Sequence, residues 1–204
     1  VMDDGFQNPA LAKDFSVLVV DSERGVGNRM VTPAGPLRAP LGAQLDRADA
    51  LIVIGTSRNA ASVSADAQAR RIPVFRARLQ PDENFIASLA GRRVLAFAGI
   101  GSPEKFFATL SVAGAVPTVA RAFADHHRYT RAEADGLRGQ AEREGLILVT
   151  TEKDIARMRG DDEVAPLAAQ VRALPVTLAF DDEEAFRALL FDRLAAARAA
   201  RPAG

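Results

Sequence analysis

Asp3 and Asp4 stand side by side near the start of the sequence and are followed by Gly5, Phe6 and Gln7. Val1 and Met2 before them read as the end of a buried strand, and Gly5 lets the chain turn sharply away. Carboxylates at the C-terminal edge of a parallel strand face the crevice where α/β proteins bind ligands. There they can hold Mg²⁺, directly or through water, while the metal bridges phosphate oxygens. Asp-Asp-Gly is also an ordinary turn, so the pair alone leaves both readings open.

Five further segments could do chemistry. Gly25-Val26-Gly27-Asn28 and Pro33-Ala34-Gly35-Pro36-Leu37-Arg38 form two glycine-rich loops after a strand. Pro33 and Pro36 stiffen the second, and a stiff loop can present Arg38 as a bidentate phosphate ligand. The alternative is a surface turn with a solvated arginine. Gly99-Ile100-Gly101-Ser102-Pro103-Glu104 follows a strand and opens a helix, with Ser102 at the N-cap and Pro103 at the first helical position. Glu104 replaces the third glycine of a dinucleotide fingerprint, so that cofactor is rejected. The helix start around Gly99 and Gly101 can still bind an anion, or the glycines serve tight packing. Phe123-Ala124-Asp125-His126-His127 holds both histidines of the chain. A carboxylate beside an imidazole can orient it for proton handling, or the aspartate caps the next helix. Thr150-Thr151-Glu152-Lys153-Asp154 closes a strand and starts a helix; Lys153 can meet an anion, or the segment only caps. A Gly-x-x-x-x-Gly-Lys-Ser/Thr loop does not occur in the 204 residues.

The elements that must carry these loops are short apolar strands alternating with amphipathic helices. Residues 15–20, 50–54, 93–98 and 146–149 are continuous apolar runs bounded by turn residues, as in a parallel sheet covered on both faces. Helical periodicity occupies 58–70, 103–113, 130–145 and 183–200, which makes βαβ units and an α/β fold. Residues 74–79 and 176–180 break the alternation. They pair as a small antiparallel ribbon enclosing 84–172 as a separate lobe, or they are two edge strands of one sheet. The last helix gathers Phe186, Leu189, Leu190, Leu194 and Ala197 on one face, expected to dock on the domain.

Composition narrows the chemistry by exclusion. Lys plus Arg and Asp plus Glu are 26 each, so no basic field points to nucleic acid. Without cysteine there is no disulfide, thiolate–zinc site or thiol nucleophile, and two histidines cannot build a multi-histidine metal site. No apolar run reaches the roughly 18 residues that span a bilayer.

Taken in order, DDGFQ, a strand ending VVD, RGVGN, PAGPLR, VFRARL, VLAFAGIGSPEKFF, FADHH and TTEKD resemble the tetraacyldisaccharide 4'-kinase family, the lipid A kinases of Gram-negative bacteria. The resemblance runs from Asp3 to about Phe191. It implies a P-loop NTPase-like parallel sheet, partial here, plus a second α/β lobe joined by a two-stranded linker. The implied divisions are 1–73 for the remainder of the nucleotide-binding core, 74–181 for the linker strands and C-terminal lobe, and 182–204 for the C-terminal helix. ATP and Mg²⁺ are the implied cofactors, and the 4'-hydroxyl of a tetraacyl disaccharide 1-phosphate, the lipid A disaccharide precursor, is the implied acceptor. The family also implies an N-terminal anchor to the cytoplasmic face of the inner membrane, a P-loop and a catalytic aspartate. All three are expected before Val1, making this sequence a fragment inactive alone; the rival expectation is a non-catalytic truncated α/β module. Asp3 and Asp4 resemble the family's Walker B acidic pair, expected to be catalytic and metal-binding. Gln7 and Arg38 fall in its active-site loops and, with Gly99, Gly101 and Lys153, are the expected substrate- and phosphate-binding residues. His126 resembles the histidine that supports the catalytic aspartate, whereas the position of His127 varies among members. Two departures stand out: Ala39 where many members have Glu, and Asn8 where many have His.

Overall fold

The computed structural model describes residues 2, 5–8, 10 and 12–200. In chain order the strands are β1 (Val17–Asp21), β2 (Ala50–Ile54), β3 (Val74–Pro81), β4 (Val94–Ala98), β5 (Val119–Ala122), β6 (Ile147–Thr151), β7 (Arg172–Leu174) and β8 (Val176–Phe180). The helices are α1 (Leu41–Leu45), α2 (Ala61–Ala69), α3 (Glu83–Ala87), α4 (Pro103–Val112), α5 (Arg131–Glu144), α6 (Glu152–Met158), α7 (Ala165–Ala168) and α8 (Glu183–Ala200). A 3₁₀ turn, Arg58–Ala60, leads into α2. The chain forms two compact units, Val1–Leu79 with Leu178–Gly204, and Gln80–Thr177.

The sheet of order β1-β2-β3-β8 is parallel from β1 to β3, with Val17 beside Ala50 and Leu51 beside Val74. At β8 the direction reverses: Asp181 N–H donates to Arg76 O at 3.0 Å, and Asp82 N–H to Pro175 O at 3.0 Å. Rising numbers on β3 thus meet falling numbers on the partner, the mark of antiparallel pairing. The antiparallel-ribbon reading of this pair is met; of the two expected edge strands only β8 lies at an edge of the first sheet, because β3 is flanked by β2 and β8. On the core face Leu51 and Val53 pack with Leu45, Val63 and Ala67 of α1 and α2. Phe186 of α8 meets Phe75 and Phe180 with ring centroids 5.2 and 4.5 Å apart. The five apolar residues expected to dock α8 are its half-buried positions, while the rest of the helix is exposed. Residues 15–20 were expected to be covered on both faces, yet Val19 is 57% exposed, since β1 lies at the edge of this sheet.

The second sheet, β5-β4-β6-β7, is parallel throughout. Every residue of β4 is buried. Leu95 and Phe97 join one cluster with Leu137 and Ala141 of α5, whereas Val94, Ala96 and Ala98 join another with Phe106 and Leu110 of α4. The period-2 split between two covered faces is why this strand reads as a continuous apolar run. It also fixes the C-terminal edge of β4 and β6, from which the loops at Gly99 and Thr151 depart.

Candidate active site

In the first unit, two of the predicted loops are built into one another. Asn28 Nδ2 donates to Ala34 O at 2.8 Å while its Oδ1 accepts the N–H of Met30 at 3.1 Å. Thr32 N–H donates to Leu37 O at 2.9 Å, and Leu37 N–H to Met30 O at 3.1 Å. Gly27 has φ of +57°, and a Cβ there would stand 2.8 Å from Pro36 Cγ, so the two loops touch where only glycine fits. Arg38 is exposed at the end of this laced segment. Gln44, which is 9% exposed, accepts from Gln7 Nε2 at 3.2 Å and donates from its own Nε2 to Ala39 O at 2.7 Å. It thereby joins the Gln7 loop to the residue after Arg38. Sequence reasoning passed over Gln44, which lies inside α1 without a motif around it. Asp3 and Asp4 lie outside the described residues. At the C-terminal end of β2, a cleft of about 240 Å³ is lined by Thr56, Ser57, Arg58 and Arg76.

The second unit brings three predicted loops onto one buried carboxylate. Asp154 is 0% exposed. Its Oδ1 accepts from Gly99 N–H and from Tyr129 OH, both at 3.1 Å. Its Oδ2 accepts from Thr151 Oγ1 at 2.6 Å. Arg157, one turn further along α6, pairs with Asp154 at 3.4 Å and donates from Nη1 to Gly99 O at 2.6 Å. Its Nη2 meets His126 Nδ1 at 3.2 Å. The buried carboxylate is therefore paired and hydrogen-bonded, as a buried charge must be. Burial, then the charge of Asp154, push the Tyr129 hydroxyl far above the ordinary tyrosine range, so it stays protonated and donates.

The two histidines have different surroundings. The His126 side chain is 81% exposed and its backbone is left-handed, φ +58°, a region where histidine is over-represented yet uncommon. Its N–H donates to Gly99 O at 3.1 Å and to Asp125 Oδ1 at 2.9 Å. His127 is 22% exposed, stacks on Phe123 with ring centroids 4.8 Å apart, and reaches Glu133 Oε2 at 3.0 Å. The Thr130 backbone N–H, aided by His127, holds the Glu133 carboxyl below the usual glutamate range, so the carboxylate accepts and His127 Nε2–H donates. A cleft of about 400 Å³ is bordered by His126, Arg128, Tyr129, Arg157 and Asp161. A larger depression of about 520 Å³, along Arg121, Gln140 and Arg143, holds none of the predicted site residues; polar convergence rather than volume marks the site.

Several local readings change. Ser102 is at the N-cap of α4, with Pro103 first in the helix, but it makes no side-chain cap and donates to Gly101 O at 2.8 Å. Asp125 does not cap the next helix; Thr130 does, in a capping box with Glu133. The capping alternative for TTEKD is realised, since Thr151 Oγ1 accepts the N–H of Asp154 at 3.2 Å. Lys153 is exposed, and the residue after it is the buried hub. Gly99 is buried with its N–H committed to Asp154; a Cβ there would stand 2.9 Å from His127 Cβ, so close packing accounts for this glycine. Gly101 is exposed in the turn before α4. Among the described residues no group of three or more His, Cys, Asp or Glu could hold a metal.

The tetraacyldisaccharide-1-P 4'-kinase family profile matches residues 1–195. The chain belongs to that family. Tetraacyldisaccharide 4'-kinases similar to it include that of Nitrobacter winogradskyi, 52% identical over 97% of this chain and 59% of the relative. That of Rhodopseudomonas palustris strain BisB5 is 54% identical over 97% of this chain and 58% of the relative. That of Bradyrhizobium sp. strain ORS 278 is 52% identical over 98% of this chain and 59% of the relative. The chain thus spans about three fifths of the length of these curated relatives. No solved structure matches it. Two mostly parallel sheets are compatible with the P-loop NTPase-like fold of a tetraacyldisaccharide 4'-kinase.

Proposed function

We propose that this chain is part of an ATP-dependent kinase that transfers the γ-phosphoryl group to the 4'-hydroxyl of a tetraacyl disaccharide 1-phosphate. The observation that carries the reading is the family match over residues 1–195. The geometry supports it with an exposed His126 hung on a fully buried carboxylate network, an arrangement suited to directing one ring at an acceptor or a partner carboxylate. Asp3 and Asp4 would hold Mg²⁺; hard carboxylate oxygens suit that ion, which neutralises charge on phosphate oxygens when bound. Arg38, steadied by the Asn28 and Thr32 hydrogen bonds, is proposed to meet a phosphate, with Gln7 placed beside that loop by Gln44. Gly101 and Lys153, exposed near the hub, are proposed to line the substrate side; the Gly99 backbone, committed to Asp154, Arg157 and His126, acts by holding the hub together. We assign the working protein to the cytoplasmic face of the inner membrane, where this acceptor lipid would be met. Among the described residues no helix is long and apolar enough to cross a membrane.

The test is phosphorylation of the tetraacyl disaccharide by the full-length kinase, by its His126→Ala variant and by the 204-residue chain alone. We expect product from the first, a fall in kcat of roughly 10²- to 10⁴-fold with little change in KM for ATP in the second, and no product from the third. An inactive full-length protein would instead favour a non-catalytic α/β module.

A further inference from the structure

We propose that Arg157, seated on Asp154, is a positioning residue that fixes the imidazole of His126 with its proton on Nε2. The inference rests on the reading of His126 as the ring that serves the acceptor. A guanidinium carries five donors and no acceptor. At 3.2 Å from Arg157 Nη2, His126 Nδ1 must therefore present its lone pair, which leaves the ring proton on the opposite nitrogen.

The direction of that contact is set from beneath. Arg157 Nη1 is bound to Gly99 O at 2.6 Å and paired with Asp154 at 3.4 Å. Because the guanidinium is planar, fixing Nη1 also fixes the line of Nη2. Asp154 cannot shift to follow it, being held by Gly99 N–H, Tyr129 OH and Thr151 Oγ1. The same Gly99 carbonyl accepts the backbone N–H of His126 at 3.1 Å, so ring and backbone of His126 are referred to one point. Asp125 Oδ1 lies 3.9 Å from Nε2, beyond hydrogen-bond reach, which leaves that N–H aimable at a group from outside this network. In this tautomer Nε2 donates and does not accept. His126 then acts by steadying an oxyanion or carboxylate, and the group that takes the hydroxyl proton is a different one.

The chain contains only two histidines, so ¹⁵N-histidine labelling gives a spectrum of two rings. At about pH 8.5, two units above the ordinary imidazole value, a long-range ¹H–¹⁵N spectrum of the 204-residue chain reads the tautomer directly. A His127→Gln variant assigns the pair. The expected result is His126 Nδ1 at the unprotonated extreme, moving toward an average of both tautomers in Arg157→Met. Arg157→Lys, which keeps the charge and stem without the fork, should move it in the same direction. A proton on Nδ1 in the unaltered chain, or a signal that stays in place in both variants, overturns the proposal. In the full-length kinase the two variants should lower kcat by roughly 10²-fold, the scale of a misdirected group, with KM for ATP unchanged. Loss that falls on KM with kcat intact would also overturn it. A kinase that is active while Nδ1 is protonated defeats only this inference, whereas an inactive full-length protein defeats the functional reading.

Discussion

Burial separates the residues that sequence could rank from those it could not. His126 stood out because both histidines sit in one short motif, but Asp154, the residue that organises its surroundings, looked like one more acidic group at a helix start. The available signal was the pair Asp154 and Arg157, three apart and so on one face of α6, behind a strand ending in two threonines. Lys153, a cation that can meet an anion, draws the site reading, since nothing in the sequence says which of the two neighbours points inward. Tyr129 offers a clean test of the hub, because it is the only tyrosine and there is no tryptophan. Its folded-state pKa is raised by burial and by Asp154. A raised value means the stabilisation is fully present below the unfolded value of about 10 and is lost as pH climbs beyond it. Phenolate absorbance should therefore stay silent past pH 10 and rise together with the loss of circular dichroism. A phenolate forming near pH 10 with the fold intact would show that the hydroxyl is not held by Asp154. Tyr129→Phe, which removes one donor from a buried carboxylate, should cost about 1–3 kcal/mol in urea unfolding.

The same logic applies to whole elements. The long apolar runs at 50–54 and 93–98 were legible as strands because covered faces demand apolar side chains at every position. β5 and β7 were not: Val119–Ala122 has three exposed residues and Arg172–Leu174 is three residues long, too short for a period to register. The periodicity over 130–145 locates α5, but capping is open to Asp125 as one of two readings, and Thr130, five residues later and also a capping residue type, holds the cap. Thr130→Ala should destabilise this unit by about 1 kcal/mol. The partner Glu133 adds a pH dependence. Its carboxyl is held below the ordinary glutamate value by the Thr130 N–H, so its contribution is present above about pH 4.3 and is lost as pH falls through the lower folded value. In Glu133→Gln, where the amide can still accept, the denaturation midpoint should vary less with pH below about 4.3 than in the unaltered chain. Parallel acid limbs for the two proteins would mean that Glu133 is not the titrating cap.

At the scale of the whole molecule, the chain passes between its two compact units only within β3 and at Thr177–Leu178 of β8. The sequence announces this pair by a Pro at each one's boundary and by half-exposed alternation in Val176–Phe180, so the ribbon is legible, whereas nothing in it says that β3 also pairs with β2 inside the first sheet. Each apolar cluster among the described residues lies within one unit: Leu51, Val53 and Val63 in the first, and both clusters around β4 in the second. Proteins built from more than one cooperative unit need not unfold in a single step. Phe97 makes the sharpest probe. It is fully buried in β4, edge-on to Phe123 and Tyr129 at 6.4 and 5.5 Å, and its carbonyl accepts from Thr150 Oγ1 at 2.7 Å. Phe97→Ala should cost roughly 3–5 kcal/mol through the cavity it leaves. Native-state hydrogen exchange should show that loss in amides of β4, β6 and α5, while those of β2 and α2 keep their protection. Equal loss in both sets would mean that the chain opens as one cooperative body, and the division into two energetic units would have to be given up.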